Sequence, residues 1–102
     1  MSNRRRLPNR RGAITFELEA LGLTFTVTAS RFDNGSIAET FIQNYKTNSA
    51  AGVLASDCAI AASLALQFGC PVETLRKALS RDAQGRATGS LGAALDQLAV
   101  RP

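Results

Sequence analysis

Residues 49–73, SAAGVLASDCAIAASLALQFGCPVE, are the stretch of sequence that decides the fold. Asn48 and Ser49 precede a run of strong helix formers, and small polar residues of this kind are preferred at a helix N-cap. The run stops at Gly69, which tolerates the left-handed conformation that closes many helices, and Pro71 cannot continue a helix. The sequence therefore predicts one long helix that begins after Ser49 and ends at Gly69.

Apolar side chains recur along this helix at spacings of three and four residues, which is the repeat of one helix face. The face comprises Val53, Leu54, Cys58, Ile60, Ala61, Leu64, Ala65 and Phe68. Alanines occupy many of the other positions, and Asp57 and Gln67 interrupt the apolar surface. We expect a helix of this composition to be almost fully buried, with neighbouring elements in close approach.

Three segments before the helix have the alternating pattern of β-strands, with an apolar side chain at every second position. They cover residues 13–20, 23–29 and 36–43. Residues 21–22 predict a tight reversal between the first two strands, and residues 33–35, Asp-Asn-Gly, predict a turn before the third. We expect an antiparallel sheet with one face in water, whereas the pattern leaves open which face of the third strand is buried. The expected outer face carries Thr15, Glu17, Glu19, Thr24, Thr26 and Thr28.

Two further segments have helical patterns. Residues 71–79 begin with Pro71 and place Glu73 in the first turn, as a helix N-terminus prefers, and their apolar face predicts the second arm of a helical hairpin. Residues 81–89 are polar and contain glycine, which predicts a loop. The tail from Ser90 has apolar residues at helical spacing, and it forms either a short third helix or a segment that docks on a partner.

Three strands followed by helices, without alternating strand–helix units, predict an α+β fold. We expect a three-stranded antiparallel sheet packed on a helical hairpin, which consists of one long, nearly fully buried helix and a shorter one. We expect residues 13–102 to form a single domain after a basic, flexible arm of residues 1–12. Because a core of this size is thin, we also expect the protein to form a homo-oligomer.

The net charge of +4 originates at the beginning of the chain, which carries five of the twelve basic residues. These are Arg4, Arg5, Arg6, Arg10 and Arg11, and no acidic residue precedes Glu17. Two interpretations stay open. A basic arm can bind the phosphates of a nucleic acid, and a short charged terminus can also be simply solvated.

The residue inventory excludes most kinds of catalytic site. The chain has no histidine, so it cannot build a Ser-His or Cys-His pair. It has no C-x-x-C pair and no glycine-rich phosphate loop, so we expect no catalytic residues, no metal and no cofactor. Cys58 and Cys70 lie too far apart along one helix to form a disulfide. We expect Cys58 in the core, and a reactive role stays open for Cys70 at the possible N-cap of the second helix.

The beginning of the sequence is basic but lacks the apolar segment of a secretory signal, so we expect a cytoplasmic location. The longest apolar run is interrupted by Ser56, Asp57, Ser63 and Gln67. We therefore expect no segment that crosses or binds a membrane.

Several motifs occur in an order that resembles a known domain family. They are Asn9-Arg10-Arg11, Phe32-Asp33-Asn34-Gly35, Ala38-Glu39-Thr40-Phe41-Ile42, Lys46 and, most specifically, the run from Ala59 to Glu73 that contains SLALQFGCPVE. Together they resemble the TSCPD domain, which occurs near the C-terminus of cobalamin-dependent (class II) ribonucleotide reductases and also in short free-standing proteins. The resemblance covers most of residues 9–80.

The resemblance implies a non-catalytic accessory or regulatory module of deoxyribonucleotide synthesis. The chain lacks the catalytic barrel of a ribonucleoside-diphosphate reductase, with its radical and redox cysteines, and the cysteine-bearing segment that gives the domain its name. It therefore cannot reduce a ribonucleotide alone, and whether it takes part in an enzyme stays open.

Two functional hypotheses follow. In the first, the chain is a protein-binding module whose apolar tail and sheet dock on a reductase, on another protein or on a second copy of itself, with Arg10, Arg11 and Gln67 near the contact. In the second, it binds nucleic acid or a nucleotide through the arginine arm, extended by Arg31 and Lys46. The candidate contact residues for a partner or a phosphate are Arg4, Arg5, Arg6, Asn9, Arg10, Arg11, Arg31, Lys46 and Gln67.

Overall fold

The computed structural model describes residues 13–44 and 49–100. The elements along the chain are β1 (Ala13–Ala20), β2 (Leu23–Arg31), β3 (Ile37–Asn44), α1 (Ala50–Gln67), α2 (Val72–Ala78) and α3 (Ser90–Ala99). The strands form one antiparallel sheet in the order β1-β2-β3, and α1 packs against it. The predicted α+β class with a three-stranded antiparallel sheet is confirmed. The arm of residues 1–12 lies outside the described residues.

The hairpin between β1 and β2 turns over two residues. Leu21 and Gly22 both have positive φ, 55° and 74°, and Ala20 pairs directly with Leu23. Positive φ at both central residues matches the right-handed twist of the flanking strands, so the turn brings them into register. Glycine adopts this conformation freely, whereas leucine does so rarely. The reversal predicted at this position is confirmed.

One face of the sheet forms the core, and the other is open. The buried face carries Leu18, Phe25, Val27 and Ala29, which come from β1 and β2. On β3 the buried side chains are Ile37, Ala38, Thr40 and Ile42, whereas Phe41 on the opposite face is 49% exposed. The structure thus decides the orientation of β3, which the sequence left open, and β3 begins one residue later than predicted.

The ends of α1 are closed by the residues that the sequence indicated. At the start, the Ser49 hydroxyl accepts a hydrogen bond of 3.0 Å from the Gly52 backbone N–H. At the end, Gly69 has φ +103° and donates to the Leu66 carbonyl at 3.2 Å, while the Cys70 N–H donates to the Ala65 carbonyl at 2.9 Å. This pair of bonds is a Schellman motif, which satisfies carbonyls that the helix leaves open.

The face of α1 that packs on the sheet is not the predicted one. The buried residues are small or polar: Ala55, Ala59, Ala62, Ser63, Leu66 and Gln67. The large side chains of the predicted face point outward, with exposed fractions of 48% for Val53, 65% for Leu54, 46% for Ile60, 40% for Leu64 and 45% for Phe68. The expected near-complete burial of α1 is therefore wrong. Alanine allows the helix to approach the sheet closely, and this selects the small-residue side for the contact.

Two polar side chains on α1 bind the outer edge of β3. The Ser63 hydroxyl accepts from the Thr40 N–H at 2.9 Å and contacts the carbonyl oxygens of Thr40 at 3.0 Å and Ala59 at 2.8 Å. The Gln67 amide donates to the Ala38 carbonyl at 3.2 Å. Because β3 is the last strand of the sheet, these backbone groups face away from β2 and need partners outside the sheet. Ser63 and Gln67, four residues apart on one helix face, supply them.

The remaining helices pack differently from the predicted hairpin. α2 has half-buried Val72 and Leu75 against the core, and its main helix neighbour is α3 rather than α1. The tail from Ser90 forms the short third helix, α3, which is one of the two alternatives that the sequence left open. Leu91, Leu95 and Leu98 of α3 are buried in the domain's own core, so their apolar surface is covered without another molecule.

We predict that Ser63→Ala lowers the free energy of unfolding by about 1–3 kcal/mol, because it leaves the buried Thr40 backbone groups without their partner. Urea denaturation of the purified chain measures this. Ser56→Ala is the matched control, because it makes the same substitution in the same helix and gains the same helix propensity. Ser56 is partly buried, and among the described residues its side chain makes no hydrogen bond to β3. Equal stabilities of the two variants would contradict the role given to Ser63.

Candidate functional site

A cavity of about 600 Å³ opens between the first half of α1, the β1–β2 hairpin and the segment that leads into α3. Its walls include Leu21 and Leu23 from the hairpin, Leu54 and Cys58 from α1, and Leu79 after α2. A volume of this size is within the range of pockets that hold small ligands or an anchoring side chain. We call this cavity the hairpin groove.

The hairpin groove is apolar and carries little reactive chemistry. Of the described residues that line it, none is charged, and the polar groups are the hydroxyls of Ser80, Thr88 and Ser90 and the Cys58 thiol. No general base faces a nucleophile among these residues, so the arrangement favours binding of an apolar group over catalysis. Elsewhere in the described part of the chain, no three acidic or cysteine side chains come together as a metal site would require.

The outer side of α1 continues the apolar surface beyond the hairpin groove. Leu54 and Cys58 belong to both, and Leu64 and Phe68 extend the exposed surface to the far end of the helix. Asp57 is the one charged residue of α1, and it lies on this exposed side. Contiguous exposed apolar surface on a small protein commonly marks a contact with another molecule.

By length and composition alone, α1 would be able to cross a membrane, and one third of it is buried in the fold. The sequence prediction that no segment crosses or binds a membrane stays a prediction. Core helices of water-soluble domains can have the same composition, and this helix binds β3 through Ser63 and Gln67.

A cluster of charged side chains ties α2, the following loop and α3 together. Asp96 on α3 accepts two hydrogen bonds from Arg81, at 2.8 and 2.9 Å, and one from Arg76 Nε at 3.1 Å. Arg76 also bonds Glu73 at 2.6 Å, and Arg81 donates to the Gly85 and Arg76 carbonyls. The bonds from Arg81, supported by Arg76, hold the pKa of Asp96 below its ordinary value, although partial burial opposes this. The pKa values of Arg76 and Arg81 are raised, chiefly by the same side-chain hydrogen bonds.

The loop between α2 and α3 is closed by its own hydrogen bonds. Asp82 Oδ1 accepts from the backbone N–H groups of Gln84 and Arg86, both at 2.9 Å, and Arg81 pairs with Ala87 in an isolated β-bridge. The bond from the Arg86 N–H is the main reason why the pKa of Asp82 is lowered. The segment that the sequence indicated as a polar loop thus has a defined shape, and it forms one wall of the hairpin groove.

Two of the sequence-derived contact residues lie in the described part of the chain, and both make bonds within the fold. Arg31 donates to the Gly35 carbonyl at 2.8 Å and to the Leu98 carbonyl at 2.9 Å. Gln67 is buried against β3. Contact of either residue with a phosphate or a partner stays a prediction. The other candidates lie outside the described residues: Arg4, Arg5, Arg6, Asn9, Arg10, Arg11 and Lys46.

The two cysteines are free, as expected. Cys58 is exposed at the hairpin groove rather than buried in the core, because α1 turns its small-residue side toward the sheet. Cys70 is half-buried in the connection to α2, one residue before the N-cap Pro71. Its reactivity stays untested.

The chain is similar to a segment of a much longer known protein. Over 70 residues the chain is 37% identical to a vitamin B12-dependent ribonucleotide reductase of Agrobacterium fabrum (strain C58). The chain resembles part of a ribonucleotide reductase. The match covers 69% of this chain but only 6% of the length of the reductase. No family model matches the chain, and no solved structure matches it.

Sequence reasoning missed the outward direction of Val53, Leu54, Ile60 and Leu64, and it missed the cluster around Asp96. The sequence does contain a pattern that indicates the inner side of α1: Ser63 and Gln67 share one helix face with three alanines, which indicates a polar contact at close range. The cluster joins side chains that are 15 and 20 residues apart, and no local pattern indicates such a contact.

We predict that Asp96→Asn lowers the free energy of unfolding by about 1–3 kcal/mol at neutral pH, because Arg81 loses its charged partner and Arg76 keeps only Glu73. The folded-state pKa of Asp96 lies below its ordinary value of 3.8, so the stabilisation is present above that value and disappears as the pH falls through the folded-state pKa. Urea denaturation at a series of pH values measures both effects. Asp33→Asn, an exposed turn residue, is the control, and a variant difference that persists at the lowest pH would contradict the assignment.

Proposed function

We propose that this chain is a non-catalytic accessory module of deoxyribonucleotide synthesis, of the TSCPD type, which binds a ribonucleotide reductase or a protein related to it. The observation that carries the proposal is the similarity to one short segment of a vitamin B12-dependent reductase. A segment that accounts for 6% of that protein is far too short to contain its catalytic apparatus. What the two chains share is therefore better explained by a binding or regulatory task than by the chemical step.

The chemistry of the described residues supports the same proposal. The hairpin groove has apolar walls, and the outer side of α1 is apolar as well. The side chains of Asp96 and Ser63 form hydrogen bonds with other groups of the same domain, so these polar groups are already paired within the fold. Surfaces of this kind suit contacts with another protein, since interface cores are depleted in charge.

We predict that the purified chain binds the B12-dependent reductase of the same cell and changes its rate of ribonucleotide reduction, whereas the chain alone with ribonucleotide and adenosylcobalamin turns over nothing. Pull-down with the immobilised chain and a turnover assay with and without it measure the two parts. Val27→Asp tests whether binding requires the folded domain. A charge at a position that is 0% exposed disrupts the sheet and should abolish binding. Turnover by the chain alone, or a reductase that neither binds nor responds, would contradict the proposal.

A second candidate function, nucleic-acid or nucleotide binding, is supported by the five arginines among residues 1–12. The rest of the chain carries seven basic and eight acidic side chains, so such binding would depend on the arm. The described residues add little to it, because the Arg31 guanidinium already bonds two backbone carbonyls.

For this second candidate, we predict that deletion of residues 1–12 abolishes binding of a short DNA or RNA duplex and leaves the thermal unfolding of the domain unchanged. Fluorescence anisotropy at several salt concentrations measures the affinity, which should fall steeply with salt if the arm neutralises phosphates. Equal binding by the truncated and the full chain would exclude the arm.

A further inference from the structure

Six exposed positions of α1 and its C-cap follow one another at alternating steps of four and three residues: Ala50, Leu54, Asp57, Ala61, Leu64 and Phe68. This alternation is the repeat of a coiled-coil seam, in which each helix presents one narrow stripe to its partner. We call these six residues the outer seam. The opposite side of α1 is the one that packs on β3, so the fold leaves the outer seam free for a second helix.

The exposed apolar side chains of α1 form one large patch along the helix rather than isolated positions. Leu54, Leu64 and Phe68 of the outer seam are 65%, 40% and 45% exposed, and Val53 and Ile60 beside it are 48% and 46% exposed. These side chains together present on the order of 500 Å² of apolar surface, near the upper end of what monomeric proteins expose in one patch. With the rim of the hairpin groove added, the apolar area approaches the roughly 800 Å² that each partner of a standard interface buries.

The outer seam is complementary to itself in an antiparallel arrangement. Ala61 lies midway between Leu54 and Phe68, seven residues from each. A small residue at the midpoint lets two helices cross closely, and large residues at both ends fill the space where crossing helices diverge. A twofold axis at Ala61 therefore places Phe68 of each copy against Leu54 of the other, and both pairs form at once.

The hairpin groove lies next to Leu54, where this pairing delivers a phenylalanine from the second copy. Leu21 supports an apolar occupant there, because it lines the groove, is 77% exposed and has the positive φ of 55° that leucine rarely adopts. An exposed leucine in a conformation that favours glycine or asparagine is costly for an isolated chain. The hairpin turn sets the φ of Leu21, and contact with an apolar side chain of another copy would cover its exposed side chain.

The charge of Asp57 decides the direction of the pairing. In a parallel pair in register, the two Asp57 carboxylates would meet in an apolar seam, which is strongly unfavourable. In the antiparallel pair centred on Ala61, they are eight helical positions apart, or about 12 Å along the axis. This separation exceeds the Debye length of about 10 Å at moderate salt.

We propose that α1 is the interface of a homodimer, in which the outer seams of two copies pack antiparallel about a twofold axis at Ala61. The proposal does not depend on the proposed function, since it concerns the purified chain without any reductase. Binding of a reductase and formation of the dimer can each fail while the other is observed.

We predict that the full chain is a dimer at micromolar concentration and that Leu54→Glu or Leu64→Glu weakens the dimer more than about tenfold, because each substitution enters the symmetric interface twice. Analytical ultracentrifugation measures the dissociation constant, and circular dichroism confirms that the variants fold. Phe41→Glu is the matched control: its side chain on the open sheet face is 49% exposed, between the values for Leu64 and Leu54, and its loss should leave the dimer unchanged.

Cysteine crosslinking tests the direction and the axis in a chain that also carries Cys58→Ser and Cys70→Ser. In that background, Ala61→Cys should form an intermolecular disulfide under mild oxidation, because position 61 faces itself across the axis. Leu54→Cys alone should not crosslink, but it should do so when mixed with a Phe68→Cys chain.

A monomeric chain would overturn the proposal, and so would a dimer that Leu54→Glu and Leu64→Glu leave intact. Self-crosslinking of Leu54→Cys would overturn the antiparallel direction, and failure of Ala61→Cys to crosslink would overturn the axis. If the chain is monomeric and co-sediments with phosphatidylcholine–phosphatidylglycerol vesicles, the outer seam binds lipid instead of a second copy.

Discussion

The contact between the Ser63 hydroxyl and the backbone of Thr40 fixes where α1 lies on the sheet. β3 is an edge strand, and an edge with unpaired N–H and C=O groups tends to recruit strands from other chains. Ser63 and Gln67 satisfy these groups from the helix, so the edge is covered by the protein's own chain. Short polar side chains reach the strand only if the helix is close, and this explains why alanines share their face.

The same constraint determines the outer surface of the molecule. Because the close contact requires small residues, the large side chains of α1 have no place on the inner side. They gather on the outer side instead, together with the hairpin groove. The result is a small domain in which Ser63 and Gln67 point toward the sheet and the outer side of α1 is apolar, a combination that suits contact with another chain more than chemistry on a small substrate.

Elements with local causes could be predicted from the sequence, and contacts between distant segments could not. The ends of α1 follow from Ser49 and Gly69, whose side-chain and backbone preferences act within a few residues. The side of α1 that packs on the sheet could not be predicted, because apolar residues occur all around this helix and their periodicity does not single out one side. Ser63 and Gln67 determine which side faces the sheet, because their side chains bond the backbone groups at the open edge of β3. The candidate surface and the cluster around Asp96 were missed for the same reason: both depend on packing between elements.

The bond from Arg31 to the Leu98 carbonyl joins the second strand to the end of α3 across 67 positions of the chain. Contacts of such long separation form late in folding, since a large loop must close before they return any free energy. The hairpin and α1 can therefore assemble first, with α3 settling onto them afterwards. The segment that joins last is then the one that completes the core, because Ala94, Leu95 and Leu98 of α3 are at most 1% exposed.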